Sequence, residues 1–86
     1  MQVKLYTTPT CLRCNQLKEW LKREGINYEE RSLLDSEVMA DLIIRDIFVT
    51  SAPVLEYGND ILTAKQLFIG NQLNTELLKG LLKKEG

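Results

Sequence analysis

The chain has 86 residues and a formal net charge of -1, with 44% hydrophobic and 27% charged residues. This length predicts one domain over residues 1–86, and the composition is typical of a globular rather than a disordered protein. The charges form no single-sign block, which argues against a nucleic-acid binder, and the absence of histidine excludes hydrolases that depend on a Ser-His or Cys-His pair.

The first predicted element is a short strand in the stretch QVKLYTT, where apolar and polar residues alternate. The stretch TPT predicts a loop, in which Pro9 restrains the backbone and Thr10 is a candidate N-cap for a following helix. From Cys11 the apolar spacing is helical, and Gly25 is the predicted end of that helix. The buried face of the helix is predicted to hold Cys14, Leu17 and Leu21, with Trp20 at its edge.

The middle of the chain predicts a second strand in INYEERSL and a second helix that begins at Asp35 or Ser36 and runs to about Ile47. A hairpin follows, in which the strands PVLEYG and ILT are joined by a turn at GND. Thr63 then caps a short helix, AKQLFI, and Asn74 caps a final helix, TELLKGLLKK.

The predicted order of elements is therefore βαβαββα, with one extra helical turn before the last helix. Alternation of strand and helix in the first half predicts parallel pairing through a right-handed crossover, whereas the later hairpin is antiparallel. The predicted fold is α/β, with a four-stranded mixed sheet and helices on its faces.

The only two cysteines, Cys11 and Cys14, form a CxxC motif where the first strand gives way to the first helix. A structural zinc site normally needs four ligands, and this chain lacks both histidine and a second CxxC motif. Two buried, unreactive cysteines are an alternative, because cysteine packs as a small apolar residue. A redox centre agrees best with the motif and with its position at the start of a helix.

The start of a helix favours an ionised sulfur, because its first amide groups lack intrahelical partners and the helix dipole is positive there. The pKa of Cys11 is therefore expected to lie below the free-cysteine value of about 8.5, and Arg13 is expected to add to this effect. Cys14 lies one turn further along the helix and should stay protonated longer. We expect Cys11 to attack a substrate disulfide and Cys14 then to attack Cys11, which releases the reduced substrate and leaves a disulfide for a separate reductant.

Three stretches, VKLYTTPTCLRC, SAPVLEYGND and QLF with the leucines after it, resemble the glutaredoxins of the thioredoxin superfamily, and especially the small redoxins that serve ribonucleotide reductase. The resemblance runs over essentially the whole chain and implies a thioredoxin-like fold and a disulfide reductase activity. It also implies a cis peptide bond between Ala52 and Pro53, next to the cysteines. The backbone of Ala52, with Ser51 beside it, would pair with the substrate as an added strand.

The resemblance further implies a substrate groove around the cysteines. An aromatic residue borders this groove in related redoxins, so Tyr6 is a candidate, and a half-buried strand tyrosine is the alternative of equal weight. Leu12 and Arg13 replace the proline and aromatic residue of many glutaredoxins. The stretch LTAKQ replaces their glycine pair and acidic pair, which hold glutathione, so that amides around Ala64 together with Lys65 would receive a carboxylate. The full set of candidate substrate-binding residues is Tyr6, Pro9, Thr10, Leu12, Arg13, Ser51, Ala52, Pro53, Ala64 and Lys65.

The expected partners are a disulfide-containing protein, with ribonucleotide reductase as a candidate, and a reductant. The reductant is glutathione, thioredoxin reductase with NADPH, or a ferredoxin-linked reductase. Because the sequence shows neither a secretory signal nor an apolar stretch that spans a bilayer, we expect a cytoplasmic monomer without membrane or nucleic-acid partners and without a bound cofactor or metal. Two alternatives stay open: a dimeric scaffold that binds zinc or an iron–sulfur cluster through the same cysteines, and a module whose partner binding responds to disulfide formation.

Overall fold

A four-stranded mixed sheet organises the fold in a computed structural model that describes residues 2–49 and 51–83. The strands are β1 (Val3–Thr7), β2 (Tyr28–Ser32), β3 (Val54–Tyr57) and β4 (Asp60–Leu62), in the spatial order β2-β1-β3-β4. β1 pairs in parallel with β2 and antiparallel with β3, and β3 forms an antiparallel hairpin with β4. This arrangement confirms the predicted fold class and the predicted pairing directions.

Four helices connect or follow these strands: α1 (Leu12–Arg23), α2 (Ser36–Ile44), α3 (Ala64–Leu67) and α4 (Thr75–Leu82). Asp35, one of the two candidate caps of α2, and Asn74, the predicted cap of α4, are confirmed, since their side chains accept hydrogen bonds from the amides of Glu37, at 2.9 Å, and Leu77, at 3.3 Å. α4 ends at Leu82, and Lys84, the last residue of the predicted helix, lies outside the described residues. Within the described ranges, none of the helices is both long and apolar enough to cross a membrane.

The ends of α1 and α2 have the same backbone geometry but use different residues. Gly25 follows α1 with a positive φ of 71°, as its predicted role requires. Asp46 follows α2 with a φ of 61°, and the amide of Ile47 donates to the carbonyl of Leu42 at 2.8 Å. α2 therefore stops at Ile44 rather than near Ile47, because an aspartate adopts the left-handed conformation that usually requires glycine.

The segment after α3 differs from the prediction. The predicted helix AKQLFI stops at Leu67, and Phe68–Ile69 (β5) pair with Gln72–Leu73 (β6) in a small antiparallel hairpin. Gly70 occupies its turn with a φ of 63°. A glycine followed by asparagine between two short apolar segments is a hairpin signal that the sequence interpretation used only as a helix stop.

Side chains of β1 divide between the two faces of the sheet, because successive strand residues point to opposite sides. Val3 and Leu5 pack in the larger apolar cluster, to which α1, α3 and α4 also contribute. Tyr6 packs in the smaller cluster with Leu42 of α2 and Val54 of β3. The sheet thus separates α2 from the other helices, and the end of β1 leads into the loop that carries the cysteines.

Candidate active site

Cys11 and Cys14 are joined in a disulfide at the start of α1, with their Cα atoms 5.2 Å apart. Cys11 is the N-cap residue of the helix, and its Sγ accepts a hydrogen bond from the backbone amide of Cys14 at 3.1 Å. Cys11 is partly exposed, whereas Cys14 is 1% exposed. The structure therefore places one accessible and one buried sulfur as the sequence predicts.

Thr10 is not the N-cap of α1, which corrects the sequence prediction. Its backbone has a φ of 53°, in the left-handed region, and its hydroxyl donates to the carbonyl of Pro9 at 2.6 Å. The extended backbone that an N-cap needs occurs one residue later, at Cys11, where φ is -116° and ψ is 107°. The capping atom is therefore the reactive sulfur itself.

The environment of the Cys11 sulfur favours negative charge. An N-cap side chain accepts from amides that lack intrahelical partners, and the helix dipole presents its positive end there. The first turn of α1, all of which is described, contains no acidic residue that would oppose an ionised sulfur. A thiolate at Cys11 would consequently accept a stronger, charge-assisted hydrogen bond than the neutral thiol.

Arg13 points its guanidinium at the β5–β6 hairpin. The group donates to the carbonyl of Gly70 at 3.3 Å and lies over the ring of Phe68, 5.4 Å from the ring centroid. The hydrogen bond to the Cys11 sulfur comes from the Cys14 amide and not from this guanidinium. Any contribution of Arg13 to the acidity of Cys11 therefore acts through its charge and not through this hydrogen bond.

The Ala52–Pro53 peptide bond is cis, as the resemblance implied. Pro53 is buried, Ala52 is partly buried and Ser51 is exposed immediately before β3. Ser51 and Ala52 line a groove of 210 Å³ together with Thr8, which belongs to the loop before the cysteines. The remaining lining is apolar and consists of Leu33, Leu34, Met39 and Val49.

Tyr6 does not border this groove, in contrast to the first of its two predicted roles. Its side chain is 2% exposed and its hydroxyl donates to Oε1 of Glu56 at 2.8 Å. Arg45 holds the same carboxylate with two hydrogen bonds, at 2.6 and 3.2 Å. Burial, followed by the hydrogen bond to Glu56, raises the pKa of Tyr6. Tyr6 is thus a core residue on the α2 side of the sheet, because position 6 of β1 faces that side.

Ala64 and Lys65 begin α3 and are placed differently. Ala64 is buried, with 2% of the residue exposed, and its contact with a carboxylate stays a prediction. Gln66 accepts from the amide of Thr63 at 2.9 Å, and the two residues form a capping box. Lys65 is exposed and lines a second cavity of 160 Å³ that also includes Ser51.

Three other predicted substrate-binding residues, Pro9, Thr10 and Leu12, are exposed around the cysteines. Leu12 is 82% exposed even though it follows Cys11 directly at the start of α1. An apolar side chain in this position is available to a partner, and its role in binding stays a prediction. Within residues 2–49 and 51–83, no group of three or more histidine, cysteine, aspartate or glutamate side chains is arranged to hold a metal ion.

A charged cluster near Cys14 was not predicted. Glu30 on β2 accepts from the hydroxyl of Thr7 at 2.8 Å and from the ammonium of Lys18 at 3.0 Å. The hydrogen bond from Lys18, followed by that from Thr7, lowers the pKa of Glu30. The cluster depends on the pairing of β2 with β1 and on the packing of α1 across them, which are tertiary features. The available signal in the sequence was Lys18, which lies four residues after Cys14 and therefore on the same face of the helix.

One protein family and several curated proteins are similar to this chain in sequence. The sequence model of the glutaredoxin family, described as "Glutaredoxin", matches residues 3–62. Curated relatives include the global transcriptional regulators Spx of Listeria innocua serovar 6a, at 29% identity, and of Staphylococcus aureus, at 28%. Each alignment covers 87% of this chain and 53% of the relative. The chain therefore spans about half the length of the curated relatives it matches.

Solved structures give the same fold. The thioredoxin-like protein BC3987 matches with a TM-score of 0.72 and 23% identity, covering 94% of this chain and 100% of that chain. The glutaredoxin of Archaeoglobus fulgidus matches with a TM-score of 0.67 and 28% identity, covering 95% and 86% of the two chains. The NrdH-redoxin of Escherichia coli matches with a TM-score of 0.62 and 21% identity, covering 73% and 82%.

Proposed function

Because the chain belongs to the glutaredoxin family, we propose that it is a thiol–disulfide oxidoreductase in which Cys11 and Cys14 alternate between dithiol and disulfide forms. The observation that carries this proposal is the pair of unequal sulfurs at one helix start. The Sγ of Cys11 caps the helix and is partly exposed, whereas Cys14 is 1% exposed. This inequality supports one nucleophile and one resolving thiol.

The first step is attack by the Cys11 thiolate on a substrate disulfide. A new bond forms between the Cys11 sulfur and one substrate sulfur, the substrate S–S bond breaks, and the second substrate sulfur leaves as a thiolate that takes a proton from solvent. The amide of Cys14, which donates to Cys11 at 3.1 Å, stabilises the negative charge before attack. Cys14 retains its proton during this step.

The second step releases the product. Cys14 loses its proton, attacks the Cys11 sulfur and breaks the bond between Cys11 and the substrate, which leaves as a second thiol after protonation. Two electrons have then passed to the substrate, and Cys11 and Cys14 form the disulfide seen in the structure. A separate reductant must return two electrons before the next cycle.

The proposed substrate is a protein disulfide, with ribonucleotide reductase as one candidate, and the proposed setting is a cytoplasmic monomer. The groove beside the cis Ala52–Pro53 bond supports a polypeptide substrate, because its lining is largely apolar and Ser51, which is exposed, lies in its lining. A segment of substrate would pair with the backbone of Ala52 as an added strand. Leu12, 82% exposed, would contact the substrate close to its disulfide.

The test of this proposal is reduction of insulin disulfides by the reduced protein. We expect Cys11→Ser to abolish reduction, because it removes the attacking sulfur. We expect Cys14→Ser to accumulate a mixed disulfide between Cys11 and the substrate, because it removes the resolving thiol. Equal activity of the wild-type and Cys11→Ser proteins would contradict the proposal.

The electron donor is a separate question with a direct experiment. The oxidised protein is offered glutathione, thioredoxin reductase with NADPH, or a ferredoxin-linked reductase in parallel reactions, and free thiols are counted over time. We expect the two enzyme systems to reduce the protein faster than glutathione does, because LTAKQ lacks the acidic pair that holds the glutathione amine. Faster reduction by glutathione would contradict this expectation.

The curated relatives favour a second candidate function. They are named global transcriptional regulators, and the aligned region covers 53% of their length. We propose, as the alternative, a module in which closure of the Cys11–Cys14 disulfide changes the binding of a partner protein without turnover. Oxidation of one dithiol per chain, with no multiple turnover on insulin, would support this alternative over the oxidoreductase.

A further inference from the structure

A polar cluster formed by Thr7, Lys18 and Glu30 joins the end of β1, the middle of α1 and the edge strand β2. Glu30 accepts from Thr7 at 2.8 Å and from Lys18 at 3.0 Å through the same oxygen, Oε2. Thr7 is 4% exposed, and the side chains of Lys18 and Glu30 are 26% and 43% exposed. The cluster is therefore anchored in the protein on one side and open to water on the other.

The cluster lies one helical turn from the resolving cysteine. Cys14 and Lys18 are four residues apart on α1, so their Cβ atoms are neighbours on one helix face, at roughly 5–6 Å. Thr7 is the last residue of β1 and shares the strand face of Val3 and Leu5, which pack in the same cluster as the buried residues of α1. The cluster thus occupies the α1 side of the sheet, and Cys14 is one of the buried residues of α1.

The charges in this cluster cancel. The hydrogen bonds from Lys18 and Thr7 hold the pKa of Glu30 below its ordinary value of 4.5, so the carboxylate is ionised at neutral pH and balances the ammonium. Of the other charged groups near Cys14, Arg13 is held at the hairpin and Lys22 lies a further turn along α1. The charge of Lys22 also contributes to the lowered pKa of Glu30. The electrostatic potential that this cluster produces at Cys14 consequently depends on whether the Glu30 carboxylate balances the charge of Lys18.

We propose that Glu30 is a positioning residue that neutralises Lys18 and so keeps Cys14 protonated until Cys11 has formed the mixed disulfide. This inference rests on the proposed oxidoreductase function, whose mechanism needs Cys11 to ionise first. An unbalanced ammonium one turn from Cys14 would stabilise its thiolate and make the two sulfurs compete for the substrate. Glu30 removes that competition without touching either sulfur.

The inference predicts that replacing Glu30 and replacing Lys18 shift the pKa of Cys14 in opposite directions. A unit charge on a side chain one helical turn away, partly screened by water, is expected to change the pKa of Cys14 by about 0.5 to 1 unit. Glu30→Gln should lower the pKa, because Lys18 is then unbalanced. Lys18→Met should raise it, because Glu30 is then unbalanced, and the double variant should return close to the unmodified value.

The measurement is the ultraviolet absorbance of the thiolate against pH in a Cys11→Ser background, where Cys14 is the only cysteine. Glu24→Gln is the matched control, since Glu24 pairs with Lys83 at 2.7 Å near the opposite end of α1 and the charge change is the same. Lys18→Arg keeps the positive charge and should leave the pKa of Cys14 within the range of the control.

A kinetic readout follows in the protein with both cysteines. For a pKa lowered by one unit, the thiolate fraction rises about tenfold while its nucleophilicity falls about threefold, so Glu30→Gln should resolve a mixed disulfide about threefold faster at neutral pH.

Salt should move the pKa of Cys14 in Glu30→Gln back toward the unmodified value, because the exposed ammonium is screened. This salt effect gives a second measurement if Lys18→Met fails to fold.

Equal shifts in Glu30→Gln and the Glu24→Gln control would overturn the inference, as would shifts of the same sign in Glu30→Gln and Lys18→Met. The pKa of Cys14 is measured without turnover, so its outcome is separate from the insulin assay. Failure of the wild-type chain to reduce insulin would contradict the proposed function alone.

Discussion

At Cys11 one sulfur atom both caps a helix and, in the proposed function, attacks the substrate. Serine, threonine and aspartate usually supply the capping oxygen at such positions. Here the sulfur takes that place and accepts from the amide of Cys14 at 3.1 Å. A thiolate that keeps this position would accept a stronger hydrogen bond from the same amide than a neutral sulfur does.

This geometry predicts an acidic thiol. In a Cys14→Ser variant, the rate of alkylation of Cys11 should rise with pH and reach half its plateau below about 8.5, because the thiolate is the reactive form. The measurement is iodoacetamide labelling at a series of pH values, with a cysteine-containing peptide as the control. A midpoint equal to that of the peptide would contradict the prediction.

Glu56 gives a residue-scale prediction for stability. It is 8% exposed, and Arg45 and Tyr6 donate to its carboxylate. Replacing Arg45 by Met leaves a carboxylate with one donor, and we expect the free energy of unfolding to fall by roughly 2 kcal/mol at neutral pH. Urea unfolding measures this change, and Lys83→Met, which breaks an exposed pair with Glu24, is the control that should have little effect.

The same pair predicts a pH dependence. Burial acts to raise the pKa of Glu56, but the hydrogen bonds from Arg45 and Tyr6 outweigh it, and the pKa lies below its ordinary value of 4.5. A carboxyl group whose pKa is lower in the folded state stabilises the protein at any pH above its unfolded-state pKa. That stabilisation is lost as the pH falls through the folded-state pKa. The stability difference between wild type and Arg45→Met should therefore shrink below pH 4.5. A constant difference down to strongly acidic pH would contradict this interpretation.

At the scale of elements, the β5–β6 hairpin links the active-site helix to the C-terminal half of the chain. Phe68 is 5% exposed in the larger apolar cluster, and its ring supports the guanidinium of Arg13. The turn carbonyl of Gly70 accepts from the same guanidinium. Arg13, one of the two residues between the cysteines, is thus held by an element that follows them by more than fifty positions in sequence.

Two glycines allow a matched test of this hairpin. Gly70→Ala should destabilise the protein by about 1 to 2 kcal/mol, because an L-residue is strained at a φ of 63° although the space around it is open. Gly80→Ala, within α4 and also in open space, should stabilise it by about 0.5 to 1 kcal/mol through helix propensity. Thermal unfolding of the two variants measures both signs. Equal effects of the two substitutions would contradict the role of the left-handed turn.

At the scale of the molecule, the sheet places α1 and the cysteines on one face and α2 on the other. Three features lie at the same end of the sheet: the end of β1, the start of α1 and the cis Ala52–Pro53 bond before β3. The first and last meet there because β1 and β3 are antiparallel neighbours, so the end of one strand lies beside the start of the other. The reactive sulfurs and the groove beside them are consequently positioned by the chain's most buried strands.

The whole-molecule prediction concerns assembly. We expect a colourless monomer in both redox states, because the cysteines pair with each other within one chain. Size-exclusion chromatography with metal analysis measures this expectation, and a Cys11→Ser variant serves as the control. A cysteine-dependent dimer containing zinc or iron would instead favour the scaffold that shares the same cysteines.

Sequence alone was sufficient to predict the strand-to-helix junction at the CxxC motif, the order of the main elements and the cap Asn74, and it narrowed the cap of α2 to Asp35 or Ser36. Each of these depends on residues within a few positions of one another, where periodicity and hydrogen-bonding side chains act directly. The β5–β6 hairpin was missed, although its signal at Gly70 is also local, because a glycine stops a helix as readily as it forms a turn.

Only the tertiary structure decided which distant residues meet. Tyr6 reaches Glu56, fifty positions away, because antiparallel pairing of β1 and β3 places both on the face covered by α2. Glu30 reaches Lys18 because α1 packs across β1 and its parallel neighbour β2. Strand register and helix packing set these contacts, and both depend on the burial of the whole apolar core rather than on any short stretch of the sequence.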